Sequence, residues 1–334
     1  AFAWDWWSFA IMRFLVGVCI GSEWVTGTSI VAELWPDKNR GKGVGLMQSG
    51  FGIGFFLASV AWFFINPVGP HAWRVMFLLG VVPALLTLWI RRSIPESERW
   101  ERVNEQRSAA TARERSGAAL NESEKALARF TVADLFAEPE VRRRVILAFL
   151  MSLATTFAFW GISAWTPPYV AAAAAKAGLP AQQWASYAAM ANNGAAIIGY
   201  AAFGFFADAY GRKATTIAYV ALAFLSVPLV FLWSHDLVTI LWATAFSGAF
   251  VSGQYTWMAA WLPELFPTRV RATATAFVFN TPRLIAWTGP LISGWLIANF
   301  GGFSTAAVAI ATVYILSLVA APFLPETRGK PLPE

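Results

Sequence analysis

Nine apolar runs, each about as long as a lipid bilayer is thick, decide what this chain can fold into. They cover roughly residues 7–34, 43–65, 73–91, 145–171, 184–207, 213–233, 237–262, 272–298 and 303–324. A helix of about 20 residues crosses a hydrocarbon core of about 30 Å. Backbone in hydrocarbon must satisfy its amides internally, so runs of this kind become helices. Helices of soluble proteins show polar faces, and these runs mostly lack one. The sequence therefore predicts an all-α multi-pass membrane protein.

Charge placement supports this and sets an orientation. Only 13% of the residues are charged, and the span 91–144 holds 12 of the 25 Lys+Arg and 10 of the 19 Asp+Glu. The connectors "PDKNRGKG", 91–144, "DAYGRKA", "PTRVRA" and the tail "ETRGK" carry 21 of the 25 basic residues and fall alternately on one side. By the positive-inside rule that side is cytoplasmic. The net basicity thus sits in membrane connectors, and nucleic acid is not an expected partner. Of the remaining four, Arg74 and Lys176 lie near the outer ends of their runs, while Arg13 and Arg283 lie at apolar depth. A lone Cys19 and two histidines, His71 and His235, in polar breaks argue against a disulfide framework, a metal or a cofactor.

A repeat is legible in the connectors. "VAELWPDKNR" matches "LPELFPTRVR", with Glu33 and Glu264 231 residues apart. "IPES" matches "LPET", with Glu96 and Glu326 230 residues apart. The first three runs therefore correspond to the last three. The expected organisation is 1–91 as three helices of an amino-terminal bundle, 92–144 as a cytoplasmic central loop, and 145–334 as a complete six-helix carboxy-terminal bundle with a cytoplasmic tail. Two parallel repeats of six imply twelve spans, nine of them present, with three expected ahead of residue 1. On that expectation the chain alone would not transport.

These residues resemble the major facilitator superfamily over essentially the whole chain. "GFFADAYGRKA" looks like its cytoplasmic G-x-x-x-D-x-x-G-R-K/R motif, through Gly204, Asp208, Gly211, Arg212 and Lys213. "RFLVGVCIG" resembles the R-x-x-x-G-x-G-x-G pattern of its fourth helix, with Cys19 at the middle glycine. "IPESERW" and "LPETRG" resemble the P-E-S-x-R-W and P-E-T-K/R-G ends of the sugar-porter branch. "FAFWGISAWTPPYV" lacks that branch's Q-Q-L-S-G, and "GVCIGSEWVTGTSIVAELWP" is more similar to proton symporters of organic acids. The resemblance implies a major facilitator fold. It also implies a secondary transporter in a plasma membrane, such as a bacterial inner membrane, that moves a small organic anion with protons by alternating access. A sugar or polyol porter is the alternative, and a transporter-like solute sensor a remoter one. No nucleophile–base pair or phosphate-binding loop points to an enzyme. A monomer in the bilayer, with a small solute and protons as partners, is expected.

Charges at mid-bilayer depth cost several kcal/mol unless they meet partners or water. Arg13 and Glu23 lie ten residues apart, so about 15 Å separates them along one helix, and each must look to another helix. Glu23 is the candidate proton carrier, and Arg13 is the second candidate coupling residue. The resemblance implies that Arg13 faces an Asp on the first helix of the family, outside this chain. Arg283 is the candidate anion anchor, since guanidinium grips a carboxylate through two parallel hydrogen bonds. Asn280 shares its helical face. Asn192, Asn193, Gln254 and Tyr255, with Trp160, Trp165 and Tyr169, are further candidates for a pocket wall. Amides at this depth also serve to tie helices together.

The cytoplasmic charges read as a latch. Asp208, Arg212 and Lys213 share one loop. Glu33 with Arg40, and Glu264 with Arg271, hold matching positions seven residues apart in the two repeats, so pairs spanning the halves would shut that side. Gly17 with Gly21, and Gly50 with Gly54, mark expected close helix contacts. The alternating charges of 92–144 read as solvated amphipathic helix along the inner face.

Overall fold

The computed structural model describes residues 2–85, short pieces between 105 and 116, 131–286 and 288–333. Every apolar run is helical where it is described. The elements are α1 (Trp6–Leu34), α2 (Arg40–Ile65), α3 (Ala72–Leu79), α4 (Thr131–Ala137), α5 (Pro139–Lys176), α6 (Ala181–Tyr210), α7 (Arg212–Pro228), α8 (Leu237–Ser247), α9 (Thr256–Ala260), α10 (Thr268–Ala286), α11 (Gly289–Asn299), α12 (Phe303–Ala311) and α13 (Tyr314–Ala320). Among the described residues, five stretches are long and apolar enough to cross a membrane: Arg40–Val68, Pro139–Lys176, Arg212–Trp233, Leu237–Leu265 and Phe303–Phe323.

Several runs are not single regular helices. The run after α7 continues as a π-helical turn, Leu229–Trp233, and that after α8 as another, Gly248–Ser252. The run at 272–298 divides into α10 and α11, with Thr288 as the N-cap of α11 and Pro290 in its first turn, where a missing N–H costs no helical hydrogen bond. At the other extreme, α5 runs unbroken for 38 residues through Pro167 and Pro168. It starts inside the stretch expected as loop, because Pro139 suits a first helical position and Glu140 the first turn. Arg142, Arg143 and Arg144 are therefore helical. Just before it, α4 docks one face on the bundle: Leu135 is fully buried, and Phe136, itself exposed, meets Phe277 edge-on. The rest of the expected amphipathic helix lies largely outside the described residues.

The apolar core lies mainly in α5–α13, with Val44 of α2 and Leu135 of α4 joining it. Trp257, Trp261, Tyr314, Tyr200 and Phe203 are among its fully buried side chains. The most apolar window of α5 is 56% buried and that of α2 only 6%. In α1, Ile11, Phe14 and Leu15 are exposed. Apolar surface of this extent suits hydrocarbon or neighbouring helices and not water.

Helix α2 lies along α6 for most of its length. The backbones nearly touch at one end: a Cβ on Gly45 would stand 2.9 Å from the Gly204 Cα, and one on Gly204 2.3 Å from the Gly41 carbonyl oxygen. Farther along, Ser59 accepts from the Asn193 amide at 2.9 Å, and Phe63 stacks on Tyr187. The α2 glycines in close contact with α6 and its end are thus Gly41, Gly45 and Gly52, while Gly43 packs on the Trp35 ring. Gly17, Gly50 and Gly54 face open space among the described residues. The spacing G-x-x-x-G occurs on two faces of this helix, and only the face turned to α6 uses it.

Candidate functional site

Two guanidinium groups, one buried and one half-buried, organise the polar interior. The first, Arg212, opens α7 and is 1% exposed. Its Nε and Nη2 donate to the two carboxylate oxygens of Glu264 at 3.1 and 3.0 Å, a bidentate pair. Its Nη1 donates to Asp208 Oδ1 at 2.8 Å and to the Ala207 carbonyl at 3.0 Å. Arg40 of α2 reaches the same Glu264 at 3.3 Å. Thr327 donates its hydroxyl to Glu264 as well.

Two helix N-termini feed this cluster. Asp208 accepts from the amides of Gly41 and Lys42, in the first turn of α2, at 3.1 and 2.9 Å. Glu326 accepts from the amides of Arg212 and Lys213, opening α7, at 2.9 and 3.0 Å. First-turn amides have no partner within their own helix and favour anions, so each carboxylate caps a helix from another element. Gly211 is needed between α6 and α7: its φ is +102°, and a Cβ there would lie 2.6 Å from Glu326 Oε2. Lys213 Nζ donates to the Pro322 carbonyl, and Arg271 to the carbonyls of Pro263 and Pro333. The side chain of Glu33 lies outside the described residues.

The second guanidinium, Arg283, is half-buried on α10. Its Nη1 donates to the Phe279 carbonyl at 2.6 Å and its Nη2 to Tyr255 Oη at 2.8 Å. Among the described residues it makes no ion pair. Its Cζ lies 3.5 Å above the Phe279 ring. Trp24 of α1 stacks on that ring at 3.6 Å and 4°. Two groups that close must occupy opposite faces, so indole, phenyl and guanidinium form three layers. Trp24 is held by its Nε1, which donates to Gln48 Oε1 at 3.1 Å. Of the five N–H bonds of Arg283, two point to protein oxygens, which leaves three for another acceptor.

Arg283 borders a cleft of 920 Å³ with Phe157, Trp160, Trp165, Ile292 and Ile310 among its walls. A smaller cavity of 180 Å³ lies between α2, α5, α6 and the π-helical turn, bordered by Trp160, Ser163, Asn192, Asn193, Tyr200 and Ser252. Trp160 and Ala164 border both. The Ser163 hydroxyl is buried without a hydrogen-bond partner among the described residues.

The other sequence candidates are distributed as follows. Gln254 accepts from Thr155 at 3.2 Å and donates to Tyr314 at 3.2 Å, so it ties helices and borders neither cavity. Tyr169 points to the Phe231 carbonyl in the core. Asn280 is half-buried and borders neither cavity. Arg13 is exposed, with no ion pair among the described residues, and the Glu23 side chain lies outside them. Phe279, Trp24, Tyr200 and Ser252 carry no charge and no motif, so nothing in the sequence marked them. Glu326 stood out as half of a repeat, without a role.

Against known proteins, a family model described as "Sugar (and other) transporter" matches residues 1–334. The cis,cis-muconate transport protein of Acinetobacter baylyi is 26% identical over 325 residues, 97% of this chain and 73% of that protein. The sialic acid transporter NanX of Escherichia coli is 25% identical over 317 residues, 93% of this chain and 70% of its own length. Among solved structures, the proton:xylose symporter XylE superposes with a TM-score of 0.71 at 23% identity, over 97% of this chain and 72% of that one.

Proposed function

The chain belongs to the Sugar (and other) transporter family, and from that premise we propose that it carries a small organic anion together with protons, by alternating access. It is a multi-pass membrane transporter of the major facilitator fold. Its solute class is read from the site.

The observation that carries the anion reading is Arg283, a cation at membrane depth whose spare donors border a cleft and which no described carboxylate neutralises. A carboxylate ligand would supply the missing charge and accept two parallel hydrogen bonds. Two relatives support the class, since muconate and sialic acid are both carboxylates. Trp160, Trp165 and the other aromatic walls suit an apolar or planar body behind the carboxylate. In this reading Glu23 exchanges the coupled proton with Arg13 in its circuit. The cluster of Asp208, Arg212, Lys213, Arg40 and Glu264, with Glu33 and Arg271, is the cytoplasmic latch. Residues 1–91 and 145–334 are the two moving halves, joined by the cytoplasmic loop 92–144, in a bacterial inner membrane.

A second reading rests on the smaller cavity. Its polar groups, Ser163, Asn192, Asn193, Tyr200 and Ser252, are all neutral, which suits a hydroxylated solute such as a sugar or polyol.

Uptake of labelled muconate, sialic acid and xylose into proteoliposomes holding the protein together with its three expected leading helices, with and without an inward proton gradient, separates the two. The anion reading expects gradient-driven carboxylate uptake that an uncoupler abolishes. Xylose uptake preferred over both acids, with Arg283→Lys unchanged, would overturn it. Glu23→Gln should abolish proton-driven uptake and leave solute counterflow.

A further inference from the structure

The groove where α5 begins and the last helix ends belongs to neither the latch nor the cavities. It has a volume of 290 Å³ and is bordered by Pro139, Arg142, Arg143, Ile146, Leu147 and Phe323. Arg142 is exposed and its guanidinium has no partner among the described residues. Arg143 is 57% exposed, with a 3.9 Å approach to Glu140 and a long contact to the Phe323 carbonyl at 3.5 Å. Glu140 is committed to Arg144, at 3.0 Å, and Arg144 in turn to the Leu265 carbonyl. Lys213 adds a third positive charge one residue away, at the Pro322 carbonyl.

Below these cations the surface is apolar. Ile315 and Val319 on α13 and Phe323 on the 3-10 turn that continues it (Ala321–Phe323), spaced four residues apart, are exposed, with Ile146 exposed across the seam on α5. The helical register puts the first three in one stripe. Cations at one end of a membrane helix, over an apolar stripe running toward the bilayer centre, match a molecule with an anionic head and hydrocarbon tails.

We propose that this groove is a binding site for an anionic phospholipid. The phosphodiester lies between Arg142 and Arg143, and an acyl chain lies along Ile146, Val319 and Ile315. Guanidinium forks pair with phosphate oxygens in two-point geometry, and basic pockets between membrane helices on the cytoplasmic side select anionic headgroups. The lipid would add a bridge between the first turns of α5 and the end of the last helix, beside the long Arg143–Phe323 hydrogen bond.

The test is native mass spectrometry of the protein in detergent, titrated with phosphatidylglycerol or phosphatidylcholine of identical chains. Phosphatidylglycerol is expected to bind roughly tenfold more tightly. Arg142→Gln with Arg143→Gln should abolish that preference, while Lys176→Gln, at the far end of α5, should keep it. Arg142→Lys with Arg143→Lys, which retains charge and loses the fork, should bind at an intermediate level. Equal binding of the two lipids by the unmodified protein would overturn the proposal without any variant. So would a full preference retained after both arginines become glutamine.

Discussion

Arg212 and Arg283 are the same side chain under opposite terms. Arg212 meets two carboxylates and a backbone carbonyl, and Arg40 shares the larger of those partners. Among the described residues, Arg283 meets only neutral oxygens and an aromatic face. A buried guanidinium matched by carboxylates has its donors spent and works as a fastener between elements. One matched by a phenol, a carbonyl and a ring keeps both unspent donors and net charge. The contrast separates a charge that holds the protein together from a charge available to a ligand.

The largest expected effect breaks the fastener. Glu264→Ala leaves Arg212 and Arg40 facing each other without their shared carboxylate, a loss of about 3–5 kcal/mol for a buried pair stripped of one partner. Thermal unfolding in detergent should show a Tm drop of several degrees or an unfolded product, and an unchanged Tm would mean the cluster is solvated. Next comes Arg283→Lys, which keeps charge and loses the fork. Transport affinity for a carboxylate should fall about 10–100-fold, the loss of about 1.4–2.8 kcal/mol that one charge-assisted hydrogen bond supplies, with Tm little changed. A Tm loss as large as that of Glu264→Ala would erase the distinction between the two arginines.

A smaller effect comes from the aromatic layer behind Arg283. Trp24→Leu removes an aromatic pair worth about 0.5–1.5 kcal/mol beyond its buried area. Tm should fall modestly, and ligand-dependent quenching of tryptophan emission should weaken. The least effect belongs to a carboxylate with no buried partner. Asp236 caps α8, accepting from the amides of Val238 and Thr239 at 3.1 and 2.9 Å, and from the Thr239 hydroxyl. Those hydrogen bonds hold its pKa below the usual 3.8. A depressed carboxylate stabilises the fold above its unfolded pKa and loses that contribution as pH falls through its folded value. Asp236→Ala should therefore speed amide exchange at Val238 and Thr239 at neutral pH and make little difference in strong acid.

Much of the architecture was readable because membrane helices announce themselves by length and hydropathy, and because the repeat put Glu264 and Glu326 beside their counterparts. The short connectors also named Asp208 and Arg212 together. Their partners were harder to read. Glu264 sits seven residues from Arg271, yet its described partners are Arg212, Arg40 and Thr327, which come from distant parts of the chain. The choice depends on helix packing that no spacing encodes. The glycines show the same limit: "RGKGVGLMQSGFGIG" offers two G-x-x-x-G faces, and only the position of α6 selects Gly41 and Gly45. Arg283 was conspicuous as a charge in an apolar run, whereas Phe279 and Trp24 look like any aromatic residue in a membrane helix until their rings are superposed.

That superposition bears on how the sequence can drift. Phe279 has an indole from α1 on one face and a guanidinium from its own helix on the other. A replacement there is judged by both neighbours at once, and one that suits Arg283 alone leaves Trp24 without its platform. Positions 24 and 279 are thus expected to change in concert across relatives, with a smaller ring on one side matched by a different wall on the other. A pair far apart in the chain would then carry a joint evolutionary signature that neither residue displays alone.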